Sequence, residues 1–353
     1  MEEFTDKEKF LINQNQKQKY TSYGLIMKQT NPSENFENDD LTREIEDYLG
    51  VDLQTFGEVQ RLMGLSPEGL QRWFDSEIDK DEPNFRVIAE FERLGYEFKL
   101  LKEKDLFYAA EYDKVGLAKY LLDRGVKIDE RNEYQSTPLH FAASNDSIQV
   151  ATLLLDRGAD IEIKNEYQST PLHFAASNDS IQVATLLLDR GADMNSSNKW
   201  QDTPFHWVAK NDSIRVATLL LDRGADIEIK KGYQQTTLHL AALYDSIQVA
   251  TLLLDRGADM EAKNIWEETP LHKASWKDSI RVATLLLDRG ANMNVKDKCQ
   301  ATPLRLTIIN NSIRVANLLI DRGFNKDDMD YHYMQRGGNA HINYFLYKSH
   351  MLA

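Results

Sequence analysis

The sequence predicts an all-α solenoid of stacked helix pairs preceded by a small helical domain. Three observations carry that prediction. Asp-Arg-Gly recurs every 33 residues, beginning at Asp123, Asp156, Asp189, Asp222, Asp255, Asp288 and Asp321. A Thr-Pro-Leu-His-like opening keeps the same period at Thr137, Thr170, Thr203, Thr236, Thr269 and Thr302. Finally, the 29 residues "NEYQSTPLHFAASNDSIQVATLLLDRGAD" at 132–160 are spelled again, letter for letter, at 165–193. A catalytic centre needs different groups converging on one point, whereas identical bricks suit a stack in which each repeat buries its neighbour's apolar face.

Each brick can be justified in order. Pro138 suits the first turn of a helix, where a missing N–H costs nothing, and the helix is expected over Pro138 to Ser144. Asp or Asn follows in every repeat (Asp113, Asp146, Asp179, Asp212, Asp245, Asp278, Asn311), and these residues tolerate a left-handed backbone. Ser147 reads as the N-cap of a second helix, "IQVATLLLDR", whose apolar side is Ile148, Val150, Ala151, Leu153, Leu154 and Leu155. Gly158 ends it as a left-handed residue after the last turn. "ADIEIKNEYQS" remains for a hairpin-like loop to the next repeat.

The 33-residue period with its T-P-L-H-x-A opening resembles the ankyrin repeat. The resemblance covers seven repeats over residues 104–334. It implies a protein partner held by hairpin tips and first-helix ends on a preformed concave template. The tip position reads Tyr134, Tyr167, Trp200, Tyr233, Trp266 and Cys299. The first-helix ends read Ser144–Asn145, Ser177–Asn178, Lys210–Asn211, Leu243–Tyr244, Trp276–Lys277 and Ile309–Asn310. Large apolar residues gather in repeats 5 and 6, and Trp and Tyr are enriched at binding hot spots. The candidate partner-binding residues are therefore Tyr134, Tyr167, Trp200, Tyr233, Leu243, Tyr244, Trp266 and Trp276.

Residues 41–103 read differently. "LTREIEDYLG" suggests an amphipathic helix, "LQTFGEVQRLMGLSPEGLQRWF" a helix–turn–helix, and "PNFRVIAEFERLGYEFKLL" a helix then a strand. With Gly64 at the turn and Leu65 and Leu70 at apolar positions, the segment resembles the Cro-type, or XRE, phage-repressor family. Gln60 departs from that pattern, standing where the family has a small residue. The resemblance implies DNA contacts from Gln71 and Arg72 on the second helix. Charge opposes them: residues 41–103 hold 15 carboxylates against 8 Lys or Arg, and phosphate neutralisation supplies most non-specific affinity. Homodimerisation through this domain, with "YEFKLL" as the contact, is the alternative use. A phage-repressor-like module joined to ankyrin repeats also implies a bacterial or phage-borne gene and, by family analogy, a host-directed effector.

Composition bounds the rest. A net charge of −14 favours solubility and opposes generic nucleic-acid or anionic-membrane binding. Cys299 is the lone cysteine, which fits a reducing compartment such as the cytoplasm or a host cytosol. "MEEFTDKEKF" lacks an export signal, and no run is apolar enough to span a bilayer. Residues 1–40 are expected to be a disordered leader, and 335–353, with "INYFLY", a capping tail. His140, His173, His206, His239 and His272 fall one repeat apart, about 10 Å, too far to share a metal ion, and are expected to be hydrogen-bonded at first-helix starts. No motif for catalysis, metal or cofactor is present, so the expectation is a binding protein and not an enzyme.

Overall fold

The computed structural model describes residues 53–78, 80, 84–94, 105–230 and 232–323. It divides into two units, one of residues 1–109 with 114–126 and one of 110–113 with 127–353. The expected leader, the helix at 41–50, the strand "YEFKLL" and the tail at 335–353 lie outside the described residues. No strand occurs among those described.

The first unit contains α1 (Leu53–Leu62), α2 (Pro67–Ile78) and α3 (Phe85–Arg93). Val59, Leu62, Leu70, Phe74, Val87, Ile88, Phe91 and Leu94 bury their side chains, and Trp73 meets Phe91 with ring centroids 5.9 Å apart. Residues 63–66 form the turn between α1 and α2. Leu70 is buried as its place in the pattern requires, but Leu65 is exposed. That corrects the reading of both as core positions: Leu65 sits in the turn, before α2 begins.

Seven helix pairs follow at the 33-residue period. They are α4 (Leu106–Glu111) with α5 (Val115–Asp123), α6 (Pro138–Asn145) with α7 (Ile148–Asp156), and α8 (Pro171–Ser177) with α9 (Ile181–Asp189). Next come α10 (Pro204–Trp207) with α11 (Ile214–Asp222), and α12 (Thr237–Tyr244) with α13 (Ile247–Asp255). The last are α14 (Pro270–Lys277) with α15 (Ile280–Asp288), and α16 (Pro303–Asn310) with α17 (Ile313–Asp321). From α6 onward first helices stack on first helices and second on second. Small residues make this close approach feasible: Ala142, Ala143, Ala151, Ala175, Ala176 and Ala184 are fully buried.

The punctuation behaves as its chemistry demands. Gly158 and its six equivalents have φ between +83° and +92°, a region L side chains avoid. Asp146 and its equivalents, including Asn311, have φ between +53° and +59°. The aspartates do more than tolerate that backbone. Asp146 Oδ1 accepts the Val183 N–H at 2.9 Å, capping the second helix of the following repeat. The same bond links Asp113 to Val150, Asp179 to Val216, Asp212 to Val249, Asp245 to Val282 and Asp278 to Val315 at 2.8–3.0 Å.

This corrects the reading of Ser147 and its equivalents as side-chain caps. They occupy the N-cap position but make no capping bond. Instead Ser180 Oγ and Ser213 Oγ donate back to the Ser144 and Ser177 carbonyls of the preceding first helices, at 3.3 and 3.0 Å. The free amide of the second helix is thus satisfied from the repeat before it, and neighbours are hydrogen-bonded together. The arginines of the Asp-Arg-Gly motif add a ladder: Arg190–Asp156, Arg223–Asp189, Arg256–Asp222, Arg289–Asp255 and Arg322–Asp288 lie 2.7–3.0 Å apart. These pairs are solvent-exposed and worth little individually.

Candidate functional site

The site is built on the rigid start of each first helix. Thr137 N–H donates to His140 Nδ1 at 3.1 Å, and a capping box closes there with histidine in the place usually held by Glu or Gln. His140 Nε2 lies 3.0 Å from the Ser169 carbonyl of the next repeat. With Nδ1 accepting from a backbone amide, Nε2 carries the proton and donates to that carbonyl. The arrangement recurs at His173, His239 and His272, with carbonyls of Asp202, Glu268 and Ala301. Burial pushes His140, His173 and His239 down to about 4, against the opposing pull of the carbonyl bond. These imidazoles are structural struts, as their spacing implied. Among the described residues no group of three His, Cys, Asp or Glu is placed to hold a metal ion.

Just before each helix the loop turns through a tip. Asn132 Oδ1 accepts the N–H groups of Tyr134 and Ser136 at 3.0 Å, and Gln135 takes φ +57° to close the turn. Gln168, Gln201, Gln234, Glu267 and Gln300 adopt the same left-handed backbone, which nothing in their residue type announced. Tips are tied to one another: Glu166 N–H donates to the Tyr134 carbonyl at 3.0 Å, and Lys199 N–H to that of Tyr167 at 2.9 Å.

That frame fixes the tip aromatics. Tyr134, Tyr167, Trp200, Tyr233 and Trp266 are each 39–55% exposed, so every ring keeps a surface to solvent. Tyr167 stacks on Trp200 at 5.5 Å and Tyr233 leans on Trp266 at 5.2 Å. At the first-helix ends Tyr244 and Trp276 are exposed, whereas Leu243 is half-buried. Leu243 is thus a weaker candidate than its residue type suggested. Cys299 is exposed at its tip.

A second column was missed in the sequence. Four residues after each repeat's Thr stand Phe141, Phe174, Trp207, Leu240, Lys273 and Leu306. Phe174 and Trp207 meet edge to face at 5.7 Å, and each also packs on the preceding repeat's histidine at 5.3 Å. The signal was available, because this position varies from repeat to repeat as the tips do. It was passed over because an aromatic inside a short apolar helix reads as core.

Tips and inner column together wall a groove of about 620 Å³ over repeats 2–4. Tyr134, Tyr167 and Trp200 form one wall and Phe141, Phe174 and Trp207 the floor. Glu111 stands at one end and Lys210 at the other. Repeats 5 and 6 are built otherwise. There Lys273 is buried, ion-paired with Glu268, its Nζ 5.2 Å from the Trp266 ring centre and 4.8 Å from that of Trp276. The two tryptophans that looked free for a partner also shelter a cation of their own chain.

Residues 106–198 and 172–264 match the family model for ankyrin repeats in three copies, and 266–298 match that for a single ankyrin repeat. The chain belongs to the ankyrin-repeat family. Among solved structures it is similar to the human ASB11 ankyrin repeat domain, at 26% identity over 61% of this chain and 96% of that one, with a TM-score of 0.54. The ankyrin repeat domain of Bcl-3, a member of the IκB protein family, matches at 26% identity over 61% of this chain and 97% of that one, with a TM-score of 0.49. No curated protein matches the chain. The ankyrin assignment stops short of residues 53–94, where Gln71 is half-buried and Arg72 exposed on α2, with Arg72 Nε 3.4 Å from the Glu68 carbonyl. Among the described residues no helix is long and apolar enough to cross a membrane.

Proposed function

We propose that the ankyrin repeats are a rigid, non-enzymatic platform that captures a protein partner through its tip aromatics and first-helix ends. The observation that carries this reading is the aromatic-walled groove of repeats 2–4. Large rings held by an inter-repeat backbone ladder lose little freedom on binding, and such pre-organisation favours affinity. Tyr134, Tyr167 and Trp200 are its primary contacts. Tyr233, Leu243, Tyr244, Trp266 and Trp276 extend the surface along the same edge. A cytosolic setting, in the cell of origin or a host, fits the single exposed thiol.

The test is a peptide-display selection against the whole chain. Selected ligands should lose about 2 kcal/mol or more, some thirtyfold in Kd, on Tyr167→Ala or Trp200→Ala. Thermal stability should change little, since both rings are substantially exposed. Ligands indifferent to these changes but lost on Trp276→Ala would move the site to the later repeats. Ligands indifferent to all of them would defeat the reading.

A second reading keeps the first unit as a DNA-binding module. It is favoured by two helices joined through the four-residue turn 63–66, with Arg72 exposed on the second. In that case Arg72→Ala lowers DNA affinity, and binding weakens steeply with salt. A fluorescence-anisotropy titration with duplex DNA at low salt checks it, and absence of any binding there removes DNA from the account and leaves dimerisation as the use of this segment.

A further inference from the structure

We infer that the groove of repeats 2–4 takes a basic protein segment and holds one of its arginines at the Glu111 end. There the guanidinium stacks on the tip tyrosines and donates to the asparagine oxygens of the first-helix ends. This rests on the binding-surface reading above and names the chemistry of its partner.

Hydrogen-bond polarity calls for a donor. Asn145, Asn178 and Asn211 are exposed at successive first-helix ends and line the groove. Their Nδ2 groups donate to the carbonyls of Phe141, Phe174 and Ser177 at 2.9, 3.0 and 2.7 Å. A carbonyl only accepts, so these bonds settle which amide atom is nitrogen. Each Oδ1 then has no donor among the described residues and is left for one that arrives with a partner. Donors on the wall are spent internally. The Tyr167 hydroxyl gives its proton to Glu166, which raises its pKa, and the His140 Nε2 proton goes to the Ser169 carbonyl.

Charge calls for a cation and says where it goes. Ring faces attract cations. Among the described residues lining the groove, Glu111 is the only carboxylate and Lys210 the only ammonium. Lys210 Nζ lies 5.8 Å from the Trp207 ring centre, so the repeat-4 end already carries a cation of its own. At the other end, among the described residues, no ring pair joins Tyr134 to Tyr167, whereas Trp200 is stacked on Tyr167. Repeats 5 and 6 show the same surface holding a cation. Lys273 stands at the register of Phe141 and Phe174. Its Nζ lies 5.2 and 4.8 Å from the Trp266 and Trp276 ring centres, with Glu268 as counter-ion. Repeats 2 and 3 have phenylalanine at that register, so a cation there comes from the partner.

Arginine suits the place better than lysine. Its flat guanidinium stacks on a ring by its face while the N–H groups at its edge reach acceptors, and it has no acceptor of its own to leave unpaired. The net charge of −14 draws such a segment in from solution.

The probes are peptides selected from a random display library on the full chain. Each is remade with citrulline, which has arginine's shape without its charge, in place of every arginine. Among peptides that need Tyr167 and Trp200, arginine should be enriched, and citrulline should weaken binding about tenfold or more in a calorimetric titration. Glu111→Gln should weaken the arginine peptides several-fold. Lys210→Glu should tighten them several-fold, a gain that damage to the fold would not produce. Both side chains are exposed. Peptides that need Tyr167 and Trp200 but bind without arginine, or equally well with citrulline, overturn the inference and leave the groove as the binding surface. Unchanged affinity in both charge variants overturns it too. If no selected peptide depends on Tyr167 and Trp200, the broader reading fails as well.

Discussion

Glu268→Gln is expected to destabilise the repeat stack by about 3–5 kcal/mol, the cost of leaving a buried ion without its partner. Lys273 is 2% exposed and Glu268 7%. The carboxylate is held in place by Asn264 Nδ2 at 2.7 Å and answers the ammonium directly. Trp266 and Trp276 offer their ring faces to the same cation, but such contacts are worth about 0.5–2 kcal/mol and cannot replace a full counter-charge. Removing the pair together should do far less harm, because a buried ion pair replaced by apolar packing is often neutral or stabilising. The protein supplies the template for that replacement. One repeat earlier the same two positions are Gln235 and Leu240, both buried without any ion pair. The double variant Glu268→Gln with Lys273→Leu should therefore lie within about 1 kcal/mol of the parent or above it. Urea unfolding of the parent, both single variants and the double variant gives the coupling energy. A Glu268→Gln protein as stable as the parent would show that Lys273 draws its stabilisation from the tryptophans or from water. Its counter-ion would then not be what holds it.

This pair marks where sequence reasoning stopped. The period, the helix pairs, the left-handed glycines and the buried histidines were all legible, because each is a local demand repeated five to seven times. A residue that recurs at one register in a stack must satisfy the stack. Trp266 and Trp276 were legible only as exposed aromatics, since their relation to Lys273 depends on how a tip folds back over a first helix. The helix caps failed similarly. Ser147 has the right residue type in the right place, yet the bond to the second helix comes from the preceding repeat's aspartate, 37 positions away in the chain at Asp146 and Val183. No local rule reaches that far. The groove was half legible: its tip wall follows from Tyr134, Tyr167 and Trp200, while nothing in the residue types of Phe141, Phe174 and Trp207 sets its floor apart from an ordinary apolar helix.

The protein should lose stability steeply as pH falls from about 6.5 towards 4, before most of its carboxylates titrate. The cause is the histidine at each first-helix start. Burial dominates at His140, His173 and His239 and holds them down to about 4; nearby cations, Arg131, Lys164 and Lys273 respectively, push the same way. His272 is lowered too, again chiefly by burial, with Asp297 and Glu268 opposing. In the unfolded chain each imidazole takes its proton near 6.5. Between those values the unfolded state binds more protons, so stability rises with pH. The contribution is complete above about 6.5 and is lost as pH falls through the folded value. A depression of this size is worth roughly 3 kcal/mol per histidine, and three of them approach 10 kcal/mol, the whole stability of many domains. Protonation also places a donor on Nδ1, against the Thr137 N–H that it must accept, so the charged ring breaks the capping box as well. Urea-unfolding free energies measured from pH 7.5 to 4.5 should fall by about 1.4 kcal/mol per pH unit for each titrating histidine once below 6. Repeat 7 has Arg305 at this register and contributes nothing to the slope. A Thr170→Val change, which removes the hydroxyl 2.9 Å from His173 Nδ1, should leave the slope in place while lowering stability throughout. A flat profile between pH 6.5 and 5 would mean that these imidazoles are charged or solvated in the fold, and the strut assignment would go with it.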